Sequence, residues 1–210
     1  INIIAGGSFN ASSNTIHIDG SWTNNGTFNS GTSTVIFERG YDQYVKSGGN
    51  AFYNVTMNKS VTPPYITLTD PAWINNYGNF ILGVVNYSGT GSLTFNDNAT
   101  SNGGAVNSFV DGPVIKKGNE DFLFPVGDVT GIVPWQPHVW APLNINNVPG
   151  TATDQFTCQY YFVAAPNNYN AWNICNYGID LHHVSGVEYW NLDRNTGSSV
   201  PWVTLYYKNA

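Results

Sequence analysis

The carboxylates Glu38, Asp42 and Asp70 are the side chains of this sequence best suited to chemistry. On one outer face of a β-solenoid they could serve an enzyme that cleaves acidic polysaccharides, with Arg39 and Lys46 binding the substrate. Such a site needs several ionisable groups that converge on one point. Because Arg39 directly follows Glu38, an exposed ion pair at a corner of the chain is the simpler interpretation. The sequence therefore predicts no catalytic residues and no enzyme.

Candidate metal ligands are also few. His182 and His183 are adjacent, so on a strand they point to opposite faces and cannot bind one ion together. Asp97 lies among asparagines whose oxygens could bind calcium, although a turn stabilised by Asp and Asn side chains is the commoner interpretation. Motifs of nucleophile elbows, phosphate loops and zinc sites are absent. We predict neither a metal nor a cofactor.

The two cysteines, Cys158 and Cys175, predict a disulfide that closes a short loop. Disulfides persist in oxidising compartments, and a cross-link of this span stabilises a fold by about 3 kcal/mol. Two buried free thiols are the alternative.

A repeat near the start of the chain indicates the architecture. Residues 7–19 match residues 26–38 without a gap, about 19 positions later. A period near 20 is typical of a chain in which each repeat forms one coil of a solenoid. We therefore expect a parallel β-solenoid.

Apolar and polar residues alternate within the repeat, as they do in a half-buried strand. Ile16 and Ile18 correspond to Val35 and Phe37, so stacked coils would place each isoleucine over its counterpart. A third copy of this strand is expected at residues 92–95. Each buried apolar side chain contributes roughly 1.5 to 3 kcal/mol, and no single coil could fold alone.

Asparagine recurs at one position of the repeat, as Asn10 and Asn29. Stacked side-chain amides can form a ladder in which each donates to the next. The alternative is that asparagine is only a neutral polar residue on a weakly charged surface.

Composition favours an extracellular protein. Charged residues make up 10% of the chain, against about 25% in ordinary soluble domains. The net charge is −6, and the seven Lys and Arg residues form no stripe, which excludes a nucleic-acid partner. No apolar run approaches the roughly 18 residues of a membrane helix, so we expect no membrane insertion. A first residue other than methionine suggests a processed or excised segment of a longer protein.

Segment length and aromatic content change near residue 112. Upstream segments are short and punctuated by glycine, whereas downstream segments such as 154–164, 187–192 and 202–207 are longer, aromatic and separated by Pro and Gly. The second pattern is typical of antiparallel sandwiches. We therefore predict an all-β protein in which residues 1–112 form the β-solenoid and residues 113–210 form an Ig-like or jelly-roll-like β-sandwich.

The sandwich region is rich in aromatic side chains that could stack on sugar rings. They comprise Trp135, Trp140, Trp172, Trp190, Trp202, Tyr160, Tyr161, Tyr206 and Tyr207. A carbohydrate-binding module that recognises surface glycans is therefore an alternative function. Packing in the core or at an interface is the commoner use of such residues.

A parallel solenoid leaves unpaired backbone groups at its two ends. The sandwich is expected to cover one end. The other end lies near Ile1, Asn2, Ile3 and Ile4, an uncharged apolar strand without a protective Lys or Pro. We predict that this strand is an assembly interface, which pairs head-to-tail with a second copy or with a neighbouring domain.

Several short motifs carry a resemblance to a known class of proteins. They are FVDGPVIKKGN at 109–119, FLFPVGD at 122–128 and VSGVEYWNLD at 184–193, preceded by WTNNGTF at 22–28 and GNAFYNVTM at 49–57. These motifs resemble a module of very large secreted, adhesin-like proteins of Bacteroidetes-type bacteria. The resemblance implies an exported cell-surface protein, often carried by a type IX secretion system, without catalytic residues.

Overall fold

The computed structural model describes residues 1–60, 64–129, 138–166 and 185–206, and these residues form strands and no helix. The prediction of an all-β protein is confirmed. The strands are β1 (Asn2–Ile3), β2 (Ser8–Asn10), β3 (Thr15–Ile18), β4 (Trp22–Asn24), β5 (Thr27–Asn29), β6 (Thr34–Arg39), β7 (Gln43–Lys46), β8 (Phe52–Lys59), β9 (Tyr65–Leu68), β10 (Pro71–Leu82), β11 (Val84–Tyr87), β12 (Ser92–Phe95), β13 (Thr100–Ser101), β14 (Val110–Asp111), β15 (Val114–Lys117), β16 (Phe122–Phe124), β17 (Val126–Asp128), β18 (Val139–Trp140), β19 (Leu143–Asn146), β20 (Gln155–Tyr161), β21 (Tyr189–Thr196) and β22 (Trp202–Leu205).

The chain winds into a parallel β-solenoid of about five turns, as the repeat predicted. One face is a parallel column in the order β1, β4, β7, β9, β11, β14, β17. Strand β10 spans the other two faces. Its first half, from Pro71 to Ile74, pairs with β12, and its second half, from Tyr77 onwards, pairs with β13. Along its other edge β10 pairs with β8, from Ile74 with Phe52 to Leu82 with Asn58.

The register of the first two coils agrees with the repeat. Ile16 pairs with Val35 and Ile18 with Phe37. The third strand of this column is β8, where Val55 stands beside Val35. The expectation that residues 92–95 form the third copy was wrong, because β12 pairs with the first half of β10 and with β15 on a different face.

Aromatic side chains fill the first coils of the core. Trp22 is fully buried, and its ring packs edge-on against Phe28 at 4.8 Å and Phe52 at 5.3 Å. Phe9 stacks on Phe28 at 5.8 Å. Such ring pairs add about 0.5 to 1.5 kcal/mol each beyond the area they bury.

Close approach of successive coils requires glycine at two turns. A Cβ on Gly26 would lie 2.3 Å from Gly7 O, well inside van der Waals contact. Gly31 has a φ of +54° and would place a Cβ 2.3 Å from Ser12 O. These glycines therefore fix where the chain turns from one face to the next.

Parallel pairing continues past residue 112, since β15 pairs with β12 and β17 pairs with β14. Antiparallel pairing begins with β18, which pairs with β17. Strand β19 pairs with β16 and β22 pairs with β19, while β20 pairs with β15 and β21 pairs with β20, all in antiparallel orientation. The described residues thus show antiparallel strands at this end, but not a complete two-sheet sandwich.

Candidate functional site: the open end of the solenoid

The first coil leaves three strand edges without a partner among the described residues, because β1, β2 and β3 are each the terminal strand of their sheet. The Thr23 N–H donates to Ile1 O at 3.0 Å, and the Asn25 N–H donates to Ile3 O at 2.8 Å. In a parallel ladder, successive residues direct their backbone groups to alternate sides. The N–H and C=O of Asn2 therefore point away from the solenoid, towards any incoming strand.

The same alternation holds in the other two columns. The Thr27 N–H donates to Gly7 O at 2.9 Å, and the Thr34 N–H donates to Asn14 O at 3.1 Å. Gly7 and Asn14 therefore direct their carbonyls to the second coil. The alternate residues Ser8 and Asn10 in β2, and Thr15 and His17 in β3, direct their backbone groups to the open side.

Apolar side chains surround these edges. Ile1 is 43% exposed and Ile4 is 66% exposed, whereas Ile3 belongs to the core. Together with Phe9 they line a shallow cleft of about 450 Å³. Residues 1–16 contain no charged side chain. An exposed, uncharged, apolar strand edge is a surface on which another strand can add.

Two of the carboxylates considered for catalysis, Asp42 and Asp70, accept hydrogen bonds from nearby backbone N–H groups. Asp42 Oδ1 accepts the Tyr65 N–H at 2.8 Å. The two oxygens of Asp70 accept the N–H groups of Ser47 at 2.6 Å and Gly48 at 2.8 Å. Among the described residues, no hydrogen bond or ion pair joins these carboxylates to one another.

Two charge pairs link the first coil to the second, and neither is the expected pair of Glu38 with Arg39. Arg39 Nη2 donates to Asp19 Oδ2 at 2.8 Å, and this guanidinium lowers the pKa of Asp19. His17 Nδ1 lies 3.2 Å from Glu38 Oε2. Both pairs lie at the surface, where solvent screens them, so neither is expected to hold the coils together by itself.

The buried lysine Lys59 was not expected from the sequence. It is 2% exposed, and its Nζ donates to Glu38 O at 3.1 Å, to Tyr41 O at 2.8 Å and to Gln43 Oε1. Burial lowers the pKa of Lys59 to about 8. The side chain therefore satisfies three acceptors at one corner of the solenoid.

Lys116 is fully buried at a second corner. Its Nζ donates to Asn96 O at 3.0 Å, to Lys117 O at 2.6 Å and to Glu120 Oε2 at 2.6 Å. Burial lowers the pKa of Lys116, and burial together with Glu120 raises the pKa of Asp97. The carboxyl of Asp97 therefore interacts with the Glu120 and Lys116 pair of this corner.

A sequence signal for both lysines existed. Lys59 follows Met57 by two positions and Lys116 follows Val114 by two positions, and both of those apolar residues are buried. Side chains two apart on a strand share a face. Each lysine therefore stands at an inward position, although lysine is rarely buried without partners.

Three of the aromatic residues considered for a sugar platform, Trp140, Trp190 and Tyr160, are packed into the fold, and Tyr160 is fully buried. Trp190 Nε1 donates to Ala141 O at 2.8 Å, and its ring lies 5.1 Å from that of Tyr160. Trp140 Nε1 donates to Gly103 O at 2.8 Å. Trp140 therefore connects β18 to the solenoid, whereas Trp190 connects β21 to the segment between β18 and β19.

Other aromatic residues remain accessible. Tyr161 stacks on Tyr189 with ring centroids 4.7 Å apart. Trp202 is 70% exposed, and Tyr206 is also exposed. The remaining aromatic candidates, Trp135, Trp172 and Tyr207, lie outside the described residues.

Cys158 is fully buried, and burial raises the pKa of its thiol. Its expected partner Cys175 lies outside the described residues, as do His182 and His183. The disulfide therefore stays a prediction.

The described parts of the chain contain no cluster of three or more His, Cys, Asp and Glu side chains able to hold a metal ion. Within the same parts, no helix has the length and hydrophobicity to cross a bilayer. No protein-family model matches the chain, and neither a curated protein nor a solved structure matches it.

Proposed function

We propose that this chain is a non-enzymatic structural or adhesive module of the cell surface, and a repeating unit of a fibre or stalk. It assembles by strand pairing at the open end of the solenoid, with a second copy or a neighbouring domain as partner. The observation that carries this proposal is the difference between the two ends of the parallel stack.

At the far end, every face of the last coil has an antiparallel strand on its edge. Strand β18 covers β17, β19 covers β16 and β20 covers β15. At the near end, β1, β2 and β3 have no covering strand among the described residues. Natural proteins protect exposed sheet edges, so an uncovered apolar edge favours pairing with a strand of another molecule or domain.

The polar side chains of the first coils also suit continued stacking. Asn29 Nδ2 donates to Asn10 Oδ1 at 2.5 Å, which confirms the expected amide contact between coils. A further coil carrying an acceptor at the same position could extend this ladder through the amide of Asn10. Low charge lets such surfaces approach without repulsion.

Composition and motif resemblance support the extracellular setting. Hydroxyl and amide side chains, rather than charges, solvate this surface, and the short motifs resemble those of exported adhesin-like proteins. The antiparallel strands β19–β22 are proposed to belong to the expected sandwich. Support comes from β20, where Phe156, Cys158 and Tyr160 face inward and are buried.

The test compares an end variant with a matched variant elsewhere. Ile4→Asp places a charge at the open end, and deletion of residues 1–5 removes its first strand. Ile81→Asp makes the same change at another exposed isoleucine, on β10. We expect sedimentation velocity and electron microscopy to show assembly by the wild type and by Ile81→Asp, and folded monomers for the two end variants. Fibres that persist after the deletion would refute the proposal.

A carbohydrate-binding module is the second candidate. The stacked pair Tyr161 and Tyr189 adjoins a polar row on the outer face of β20 and β21, in which Gln159 pairs with Asn191. Aromatic faces beside amides are suited to sugar rings. A glycan array should then show micromolar binding that Tyr189→Ala abolishes, whereas a purely structural module binds no glycan.

A further inference from the structure

We infer that the outer edges of β18, β21 and β22, which have no partner strand among the described residues, form the surface that receives the open end of a second copy, face by face. This inference rests on the proposed function and deepens it by naming the partner surface. It is carried by the way in which the columns of the solenoid end.

Each face begins with one edge strand and finishes with another. The first face runs from β1 to β18 within one sheet. The second begins with β2 and finishes through β12, β15, β20 and β21. The third begins with β3 and finishes through β16, β19 and β22, with Ser101 Oγ of β13 donating to Leu123 O of β16. Within the described parts of the chain, each end of the solenoid therefore presents three strand edges.

Strand directions follow from the pairing. Strand β18 is antiparallel to its column, so it would meet the copy's β1 in antiparallel orientation. Strands β21 and β22 are each separated from the solenoid by two antiparallel steps and run parallel to it. They would therefore meet β2 and β3 of the copy in parallel orientation.

Apolar side chains that continue the rows of the core are exposed at the far end. Val203 and Leu205 stand in register with Ile145 and Leu143. The two residues of β19 are at most 1% exposed, yet Val203 is 48% and Leu205 is 44% exposed. No further described strand therefore covers the inward row of β22.

A cleft of about 180 Å³ opens beside this row, between the second and third faces. Phe156, Leu192, Pro201 and Val203 contribute to its lining. The one charged side chain in its lining, Arg194, donates hydrogen bonds to Ser198 O and Ser199 O of its own chain.

At the near end, Ile3 and Phe9 line the matching opening of the core. Stacking two copies would bury both openings at once. The contact joins two different surfaces and does not close on itself, so it generates a fibre rather than a closed dimer. We take a second copy as the partner because the near-end cleft and the far-end cleft lie at opposite ends of the same stacks of strands.

Single-end variants test this arrangement. Val203→Asp places a charge at the far end, and Ile4→Asp places one at the near end. Thr204→Asp changes the exposed outward neighbour on β22 and serves as control. We expect both end variants to weaken association at least about 100-fold, as an unpaired charge in an apolar contact does. Thr204→Asp should assemble like the wild type.

Mixing gives the decisive measurement. An equimolar mixture of Val203→Asp and Ile4→Asp retains one intact near end and one intact far end, so it should form heterodimers and nothing larger. Assembly of Val203→Asp as strong as that of the wild type, with Ile4→Asp monomeric, overturns this inference and leaves the proposed function standing. Assembly unaffected by either variant, or a wild type that is monomeric at high concentration, overturns both. Should Val203→Asp fail to fold by circular dichroism, Leu205→Asp takes its place.

Discussion

Asn24 Nδ2 donates a hydrogen bond to Asn50 Oδ1 at 2.9 Å, across 26 positions of sequence and from one coil to the next. Asn24 is fully buried, and it also donates to Ser47 O and accepts the Gly26 N–H, both at 2.9 Å. Asn50 Oδ1 accepts the Phe28 N–H as well, at 2.7 Å. One amide pair therefore satisfies backbone groups of two successive turns.

Substitution by aspartate should lower the free energy of unfolding at Asn24 and leave it nearly unchanged at the adjacent Asn25. Asn24→Asp removes both amide donors and leaves a buried carboxylate facing two oxygen acceptors, which should cost about 3 kcal/mol of unfolding free energy. Asn25→Asp keeps the acceptor for Lys46 Nζ, which lies 2.6 Å away, and should be neutral to within about 0.5 kcal/mol. Urea unfolding followed by circular dichroism measures both. Equal losses in the two variants would contradict the role assigned to Asn24.

The effect of alanine at a corner glycine on stability should depend on the space available for the added Cβ. Gly26→Ala forces a Cβ against Gly7 O and Ile4 O and should destabilise the fold by roughly 2 kcal/mol or more. Gly20→Ala meets no atom within 4 Å and should be neutral or slightly stabilising. Thermal melts of the two variants give the comparison. A stable Gly26→Ala protein would show that the first two coils are spaced more widely than described.

The repeat was sufficient to predict the register of Ile16 with Val35, because those two coils differ by no insertion. It failed for Leu93, because later coils vary in length and β10 passes from one face to another with a register shift between Ile74 and Tyr77. Periodicity reports which residues are buried, but not the face on which a strand lies.

The covering of the far end could not be predicted in detail. Whether β19 or β20 pairs with a given solenoid strand depends on contacts between distant residues, such as Val114 with Cys158. The open end was easier to predict, because the apolar, uncharged character of Ile1 and Ile4 is a local property. The two buried lysines were missed because a charge at an inward position is interpreted from the sequence as a surface residue.

The half-buried carboxyl of Asp111 should make stability depend on pH. Burial, with a smaller effect of Asp128, raises the pKa of Asp111 from 3.8 to about 6. The folded chain then holds its proton more tightly than the unfolded chain, so this stabilisation is complete below pH 3.8 and is lost as the pH rises through 6. At pH 7.5, Asp111→Asn should be more stable than the wild type by about 1 kcal/mol after allowance for solvent screening. Asp193→Asn, which removes an exposed carboxylate, controls for net charge, and an equal gain there would contradict the prediction.

Thiol labelling distinguishes the predicted disulfide from two free thiols. Cys158 is buried and its thiol pKa is raised, so a reduced Cys158 should resist iodoacetamide in the native protein. If Cys158 and Cys175 are cross-linked, denaturation alone exposes no reactive thiol, and two labels appear only after reduction. Intact-mass spectrometry counts the labels. Two labels after denaturation without reductant would exclude the disulfide.

The buried Lys59 should give a second, opposite pH dependence. Its pKa is lowered by burial from 10.5 to about 8, so between these values the unfolded chain binds more protons than the folded chain. Stability should therefore rise as the pH increases from 8 to 10.5. In Lys59→Met this rise is absent, and the variant is less stable at every pH because Glu38 O and Tyr41 O lose their donor. Urea midpoints of the two proteins at pH 7.5, 9 and 10.5 measure the effect, and the difference between them cancels the titration of other lysines and tyrosines. Parallel pH profiles for the wild type and Lys59→Met would show that Lys59 keeps its ordinary pKa and reaches solvent.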